Sequence, residues 1–414
     1  MFATPRVSHV ARLRRARQPQ PVDLERARYL VSPAGREALE QATAAGYDLE
    51  PNRLAAALRK LHPPAESAAI AEQLALNARA RTRFGADYRR MLLSAAGLEM
   101  MTHPLVARRR AARLAGTGRR VADLTCGIGS DLSEVAAVSA GAVGIEADAA
   151  TALIAAANVP AASVIRGDAT RLPLHLESHS VLIDPARRGP GGRRFDPAAF
   201  SPTWDQCLEL LRTAASGVLK APPGLGHQHV PDWAELEAVQ LGRDLRELAL
   251  WAGSLAEPGL RRAVLLPEGI ELDSRAPQSE GLATVIGRYL LDPESCVTRA
   301  GLVRHLAAAT SSNLLDDQVA YLTTDAAVFH PMAATFEVLD VLPFSIQRLK
   351  SHLRTNRLRP DEIRRRAFPV EPDELRRLLG NLQGERVALL CTTIHDQRLV
   401  AIARRVYPPT PGGA

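Results

Sequence analysis

Asp123, Glu146, Asp168 and Asp184 each stand at or just beyond the end of a short apolar run. The runs 120–124, 142–146, 163–166 and 181–184 have the length and composition of strands. In an open α/β sheet the carboxyl ends of the strands form the ligand crevice, so four carboxylates are expected around one crevice. Asp123 opens Asp-Leu-Thr-Cys-Gly-Ile-Gly-Ser-Asp131. There Gly127 and Gly129 remove side chains where the backbone must turn tightly and approach a ligand. An acid placed like Asp123 can hold the ammonium of an amino-acid moiety, directly or through water. Glu146 follows about 20 residues later, where a carboxylate accepts both hydroxyls of a ribose. Asp168 is placed to accept from the amino group of an adenine, and Asp184 begins Asp-Pro-Ala-Arg-Arg188. Each acid alone could instead cap the next helix, and a glycine turn can exist without a ligand.

Helical stretches alternate with these runs. Residues 131–139, 148–158, 169–176 and 203–215 read as helices, and 217–220 as a fifth strand. The alternation predicts a parallel sheet covered by helices on both faces. Beyond Lys220 we expect a helix over 231–241, then two close strands, 247–252 and 261–266, paired antiparallel. Ahead of the sheet, residues 24–90 are Ala-rich and helical in period, notably 53–61 and 65–83, a platform without catalytic residues. The Pro- and Gly-containing stretch 268–281 reads as a linker, and 285–340 is mixed. From residue 337 onward we expect strand, helix 346–354, strand 362–368, helix 373–379 and a hairpin of 387–393 with 399–406. The expected divisions are 1–98 (helical), 99–275 (the sheet domain), 276–336 (connecting) and 337–414 (a small α+β domain).

A nicotinamide-binding domain would require a third glycine in G-x-G-x-x-G, but Leu132 stands there. The sequence instead resembles bacterial class I methyltransferases with a THUMP-like C-terminal domain. The resemblance rests on Glu99, Thr102 and Val106-Ala107, on 121–131, on Ile183-Asp-Pro-Ala-Arg-Arg188 and on Leu219-Lys-Ala-Pro-Pro-Gly224. It continues through Leu250-Trp251, Arg261-Arg262-Ala263, Arg288-Tyr-Leu290, Val341-Leu-Pro-Phe344 and Arg364-Arg-Arg366. Ser130 departs from the glycine more usual in that family. The resemblance implies a Rossmann-like α/β sheet, S-adenosylmethionine as cofactor, and an RNA substrate, because THUMP domains are RNA-binding modules. The cofactor-binding candidates are Asp123, Cys126, Gly127, Gly129, Glu146 and Asp168. Beside the glycine turn, Cys126 reads as a small packing residue rather than a nucleophile.

Asp184, Pro185 and Arg187 are the catalytic candidates. Methyltransferases acting on exocyclic amines carry Asp/Asn-Pro-Pro followed by an aromatic, whereas Ala186 and Arg187 stand here. Arg187 resembles the arginine of 5-methyluridine enzymes. Those need a cysteine nucleophile just after the fifth strand, where this chain has Lys220-Ala-Pro-Pro-Gly224 and Cys207 lies earlier. Transfer to a nitrogen or oxygen of a nucleotide, oriented by Asp184, is therefore expected, with alignment supplying much of the rate. Arg188, Arg193 and Arg194 around Gly189-Pro-Gly-Gly192 could grip phosphates or form a solvated loop. Lys220 is a further substrate-binding candidate, as are Arg364, Arg365 and Arg366. His227 and His229 lack a third ligand, so no metal is expected. A small-molecule or protein acceptor, and a non-catalytic RNA-binding protein with the same fold, are the alternative readings.

Composition agrees with a soluble enzyme. Of 414 residues, 46% are hydrophobic and 23% charged, and no apolar run reaches the length of a membrane span. The cysteines Cys126, Cys207, Cys296 and Cys391 form no CxxC pair, which fits a reducing compartment. The Arg-rich first residues (Arg6, Arg12, Arg14, Arg15, Arg17) lack the apolar core of a secretory signal, and a cytoplasmic protein is expected. Net charge is +7. Residues 341–414 hold 14 Arg or Lys against 7 Asp or Glu, so the excess sits in the C-terminal module, as a polyanion-binding patch requires.

Overall fold

The computed structural model describes residues 23–45, 51–85, 91–171, 174–187 and 197–408. The basic first residues, Arg188 and the 189–194 loop lie outside them. The described residues fall into two compact units, dividing after Gly217.

The first unit opens with helices α1 (Leu24–Val31), α2 (Pro33–Ala44), α3 (Pro51–Leu58) and α4 (Pro64–Phe84). Their starts follow from local chemistry. Asp23 accepts from the Glu25 N–H, Ser32 from the Gly35 N–H, and Pro33 and Pro64 occupy first-turn positions where no N–H is needed. Next come α5 (Ala95–Met100), α6 (Pro104–Ala115), β1 (Val121–Asp123), α7 (Ser130–Val138), β2 (Ala142–Glu146), α8 (Ala149–Asn158), β3 (Ser163–Arg166) and β4 (Ser180–Ile183). The unit closes with β5 (Ala186–Arg187), β6 (Phe200–Ser201), α9 (Trp204–Thr213) and the start of β7 (Ser216–Ala221). Strand order is β7-β4-β1-β2-β3, and β1 runs parallel to both β2 and β4, as β2 does to β3. Both β1 and β4 are buried throughout, the pattern of strands covered on two faces.

The helical N-terminal region is packed onto this sheet unit. Ala27, Leu30, Leu76 and Phe84 share one apolar cluster with Ile128, Ala150 and Ile154. Asn158 fastens the contact, accepting from the Leu92 N–H (2.7 Å) and donating to the carbonyls of Leu92 (2.9 Å) and Ile128 (2.8 Å).

The second unit begins within β7 and continues with β8 (Glu235–Leu241), β9 (Asp244–Gly253), β10 (Arg261–Leu266) and β11 (Ile270–Asp273). Two sequence expectations fail here. The expected helix over 231–241 is the strand β8. Its partner is β9, antiparallel across a turn at Gly242, whereas β10 runs parallel to β8 on the other side instead of pairing with β9. Glu235 and Glu237 on this strand are both buried. Arg262 Nε donates to Glu235 at 3.2 Å and Trp251 Nε1 to Glu237 at 3.3 Å, so the strand keeps its acids inside.

Then follow β12 (Tyr289–Pro293), α10 (Ser295–Ala300), α11 (Val303–Ala309), β13 (Asn313–Asp316), β14 (Val319–Thr324), β15 (Ala333–Pro343), α12 (Ile346–Thr355), β16 (Leu358–Arg366), α13 (Pro372–Leu379), β17 (Glu385–Ile394) and β18 (Gln397–Val406). They build a seven-stranded sheet in the order β13-β14-β12-β15-β18-β17-β16. Residues 276–336 therefore do not merely connect. They contribute β12, β13 and β14 to the sheet of the C-terminal module, with β12 pairing β15 over Tyr289–Pro293. Among the described residues no helix is long and apolar enough to cross a membrane.

Candidate functional site

The Asp123–Asp131 motif forms the turn from β1 into α7. Gly127 has φ +53° and Gly129 φ +86°, the left-handed region that favours glycine. A Cβ at Gly129 would also lie 2.9 Å from Val159 Cγ2, while one at Gly127 would meet nothing within 4 Å, so Gly127 presents bare backbone to open space. Leu132, at the place of the missing third glycine, packs instead into a gap left by Gly144 on β2. A Cβ there would come within 2.6 Å of the Leu132 side chain. Gly144 is a residue that sequence reading missed, because only the packing of α7 on β2 reveals its use.

Two adjoining cavities open here. One of about 350 Å³ is lined by Asp123, Gly127, Ile128, Glu146 and Asp184, with Gly97, Met100 and Met101 at the α5 side. The second, about 460 Å³, is lined by Gly127, Glu146, Asp168, Asp184 and the stretch Phe200–Thr203. Each of the four expected strand-end acids thus lines at least one cavity, and Gly127, Glu146 and Asp184 line both. So does Met100, whose exposed side chain gave no sign of this role in the sequence.

Glu146 accepts from the Gly127 N–H through Oε2 (3.1 Å) and from the Asp148 N–H through Oε1 (2.8 Å). A carboxylate offers about four lone-pair sites, so acceptor capacity remains for a further donor such as a hydroxyl. Burial pushes the Glu146 carboxyl above its ordinary pKa, opposed by those backbone donors. Asp168 is exposed and held low by the Thr170 N–H (2.9 Å) and hydroxyl (2.8 Å), which both donate to Oδ1.

Asp123 is buried, and its Oδ1 accepts from the Thr125 N–H at 3.2 Å. Thr125 then turns its hydroxyl to the next strand, where Oγ1 accepts from the Asp184 N–H at 2.6 Å. One side chain thereby ties the ends of β1 and β4 together. Beyond Asp184 and the buried Pro185, Ala186 and Arg187 pair with Ser201 and Phe200, bringing the 200–203 stretch to the cavity wall.

Two cysteines, Cys126 and Cys207, are buried near the site. Cys126 lines the smaller cavity, but its thiol is pushed far up by burial and then by Asp123 and Glu146. It packs with Leu132, Ala155 and Val159. Cys207 is buried in α9 and pushed up to about 12, first by burial and then by Asp184.

Other sequence candidates lie in the second unit. Lys220 is on β7. Arg364, Arg365 and Arg366 on β16 are drawn into ion pairs. Arg364 reaches Asp292 Oδ2 (2.5 Å) and Glu362 (2.7 Å), Arg366 reaches Asp292 Oδ1 (2.8 Å), and Arg365 reaches Glu371 (2.5 Å). Arg365 is nonetheless exposed, and further exposed cations of this module include Arg348 and Arg354 on α12, Arg376 and Arg377 on α13, Arg386 on β17 and Arg398 and Arg404 on β18. The two helices share one apolar cluster through Leu349, Leu353, Leu375 and Leu379, and Lys350 Nζ donates to the Leu378 carbonyl at 3.3 Å. His227 donates from Nε2 to the Arg299 carbonyl at 2.8 Å.

Comparison with known proteins follows the same lines. The chain is 36% identical, over 266 residues, to an uncharacterized S-adenosylmethionine-dependent methyltransferase of Mycobacterium tuberculosis, found in strains CDC 1551 and H37Rv. That alignment spans 62% of this chain and 72% of the relative. Residues 333–405 match the THUMP domain-like family. In fold, the chain is similar to a crystal structure of a candidate methyltransferase from Porphyromonas gingivalis W83, with a TM-score of 0.72 at 23% identity. The match covers 90% of this chain and 99% of that one.

Proposed function

Since the chain belongs to the S-adenosylmethionine-dependent methyltransferases, we propose that it methylates a nitrogen or oxygen of a nucleotide in structured RNA, with Asp184 orienting the acceptor. The observation that carries this reading is the set of four strand-end acids around two cavities that meet at Gly127, Glu146 and Asp184. The residues fit the cofactor. Glu146 keeps acceptor capacity for a ribose hydroxyl, Asp168 stands beyond it for the adenine amino group, and buried Asp123 faces the cavity at the methionine end. Gly127 and Gly129 leave the backbone bare where the cofactor must approach. When bound, S-adenosylmethionine supplies a methyl group already activated on a sulfonium.

The chain's own residues then have to hold the acceptor in line and exclude water. Asp184, fixed through its backbone by Thr125, would accept a hydrogen bond from the acceptor amine or hydroxyl, turning the acceptor's own lone pair toward the methyl donor and taking up the proton that the acceptor releases. Pro185 stiffens the strand end, and Arg187 is the candidate contact to the target nucleotide. The buried, raised thiols of Cys126 and Cys207 favour direct transfer over a covalent adduct on a pyrimidine ring. Support for RNA comes from the THUMP domain-like match and from the excess positive charge of residues 341–414. With Arg364, Arg365 and Arg366 engaged in ion pairs, the phosphate contacts are assigned to Arg348, Arg354, Arg376 and Arg377.

The test is transfer of radiolabelled methyl groups to total RNA from a strain lacking this gene, with wild-type-strain RNA as control. Label should enter only the deficient RNA, and Asp184→Ala should cut the rate by about 100-fold or more while cofactor binding persists. Absence of label despite cofactor binding would rule out RNA and leave a protein or small molecule as acceptor.

A further inference from the structure

Aromatic residues make up only 4% of the chain. Among the described residues, two large aromatics are exposed, Phe329 (37%) and Tyr407 (69%). Both line the same cavity of about 370 Å³ in the second unit, together with Pro331 and Pro408, Ala333 and Ala334, and the polar side chains of Glu294, His330, Thr335 and Arg405. The volume lies within the range of small-ligand pockets, roughly 300–1,000 Å³.

Its polar groups are fixed in advance. The Arg405 guanidinium lies 5.4 Å from the Tyr407 ring centroid and 5.9 Å from that of Phe336, with Glu362 at 3.7 Å. His330 accepts the Met332 N–H at Nδ1 (3.1 Å), which leaves the ring proton on Nε2. Glu294 accepts from Gln240 Nε2 at 2.5 Å and retains acceptor capacity. Flat apolar walls, a positioned cation, one ring N–H and one carboxylate are the requirements of an unstacked base, whose faces are apolar and whose edge carries both donors and acceptors. Within the module the positive excess lies in residues 341–414, which give the pocket Arg405 and Tyr407 and are complementary to a phosphate backbone, while 276–340 hold more acids than arginines.

We propose that this pocket takes an unpaired base of the RNA, stacked against Tyr407 and Phe329 beside Arg405, at a site separate from the strand-end cavities. The inference rests on the RNA reading above. A base delivered here would have to come from a single-stranded end, loop or bulge, since a paired base offers no free face.

Fluorescence anisotropy with the full-length protein tests it, using a short unstructured RNA oligonucleotide and a blunt RNA duplex of equal length. Tyr407→Ala and Phe329→Ala should each weaken single-strand binding about tenfold, since a base stacked on an aromatic ring contributes that order of affinity. Tyr407→Phe should retain it, and duplex affinity should not change. Ultraviolet crosslinks from the bound oligonucleotide should map to the peptides holding Phe329 and Tyr407. Alanine variants that keep the wild-type circular dichroism and melting curve but bind single strands normally would overturn the pocket while leaving the RNA reading intact. An equal loss for single strand and duplex would also overturn it. Wild-type protein that binds neither RNA would remove both proposals.

Discussion

Thr125 and Glu146 make the residue scale testable. Thr125 donates its N–H to Asp123 and accepts the Asp184 N–H on its hydroxyl. Thr125→Val keeps the shape but removes that acceptor, leaving a half-buried N–H without its bond. The expected result is a fall in kcat of about tenfold with KM for the cofactor little changed, restored by Thr125→Ser. Glu146 has a different signature. Burial raises its pKa, so on acidification it protonates earlier than an ordinary carboxyl and loses an acceptor for the ribose. Cofactor affinity should therefore be full at neutral pH and fall as pH drops through a value above the usual carboxylate range. Calorimetric titration should show Glu146→Gln binding roughly tenfold more weakly at neutral pH, as expected when a charge-assisted hydrogen bond is lost, with the acid limb flattened. A variant that keeps the wild-type acid limb would remove Glu146 from this role. The four acids were legible because each follows a strand end, a feature of local sequence. Thr125, Gly144 and Met100 were not, because their roles arise from bonds and packing across strands.

Elements were legible where hydrophobic pattern and burial agree. The strands of the parallel sheet read as apolar runs because both their faces are covered. The strand β8 did not, since Glu235, Glu237 and Gln240 are buried polar residues whose partners lie on other elements. The triple arginine of β16 is a basic run in the sequence, and in the sheet its members also form ion pairs that the sequence did not show. Asp292 on β12 receives both Arg364 and Arg366 and is almost wholly buried. Asp292→Ala would leave Arg364 with Glu362 and Arg366 with only the Pro293 carbonyl, and losing these bonds should cost about 1–3 kcal/mol. Chemical denaturation should register that loss in the transition of the seven-stranded sheet. Stability equal to wild type would mean these arginines are free to serve another partner.

At the scale of the whole molecule, charge is unevenly placed, and the folding of the second unit dictates how its use can be examined. Deleting residues 341–414 looks like a clean removal of the basic module, but the cut passes through β15 (Ala333–Pro343) and takes away β16, β17 and β18. The truncated β15 would keep the residues that pair with β12 but lose β18 along its other edge, so lost RNA binding would report misfolding. Exposed side chains avoid this. Arg348, Arg354 and Arg377 project from α12 and α13, while the apolar faces of those helices stay in the core through Leu349, Leu353, Leu375 and Leu379. Replacing the three arginines by glutamine should leave the melting curve unchanged. Each phosphate contact removed should lower the slope of log affinity against log salt by about 1, so the triple variant should lose roughly 2–3 from the wild-type slope. Arg364→Gln should behave oppositely, lowering stability with no change in slope, because its charge is already met by Asp292 and Glu362. An unchanged slope in the triple variant would mean that the α12 and α13 surface does not meet the phosphates, and that the charge excess of this module serves something other than RNA.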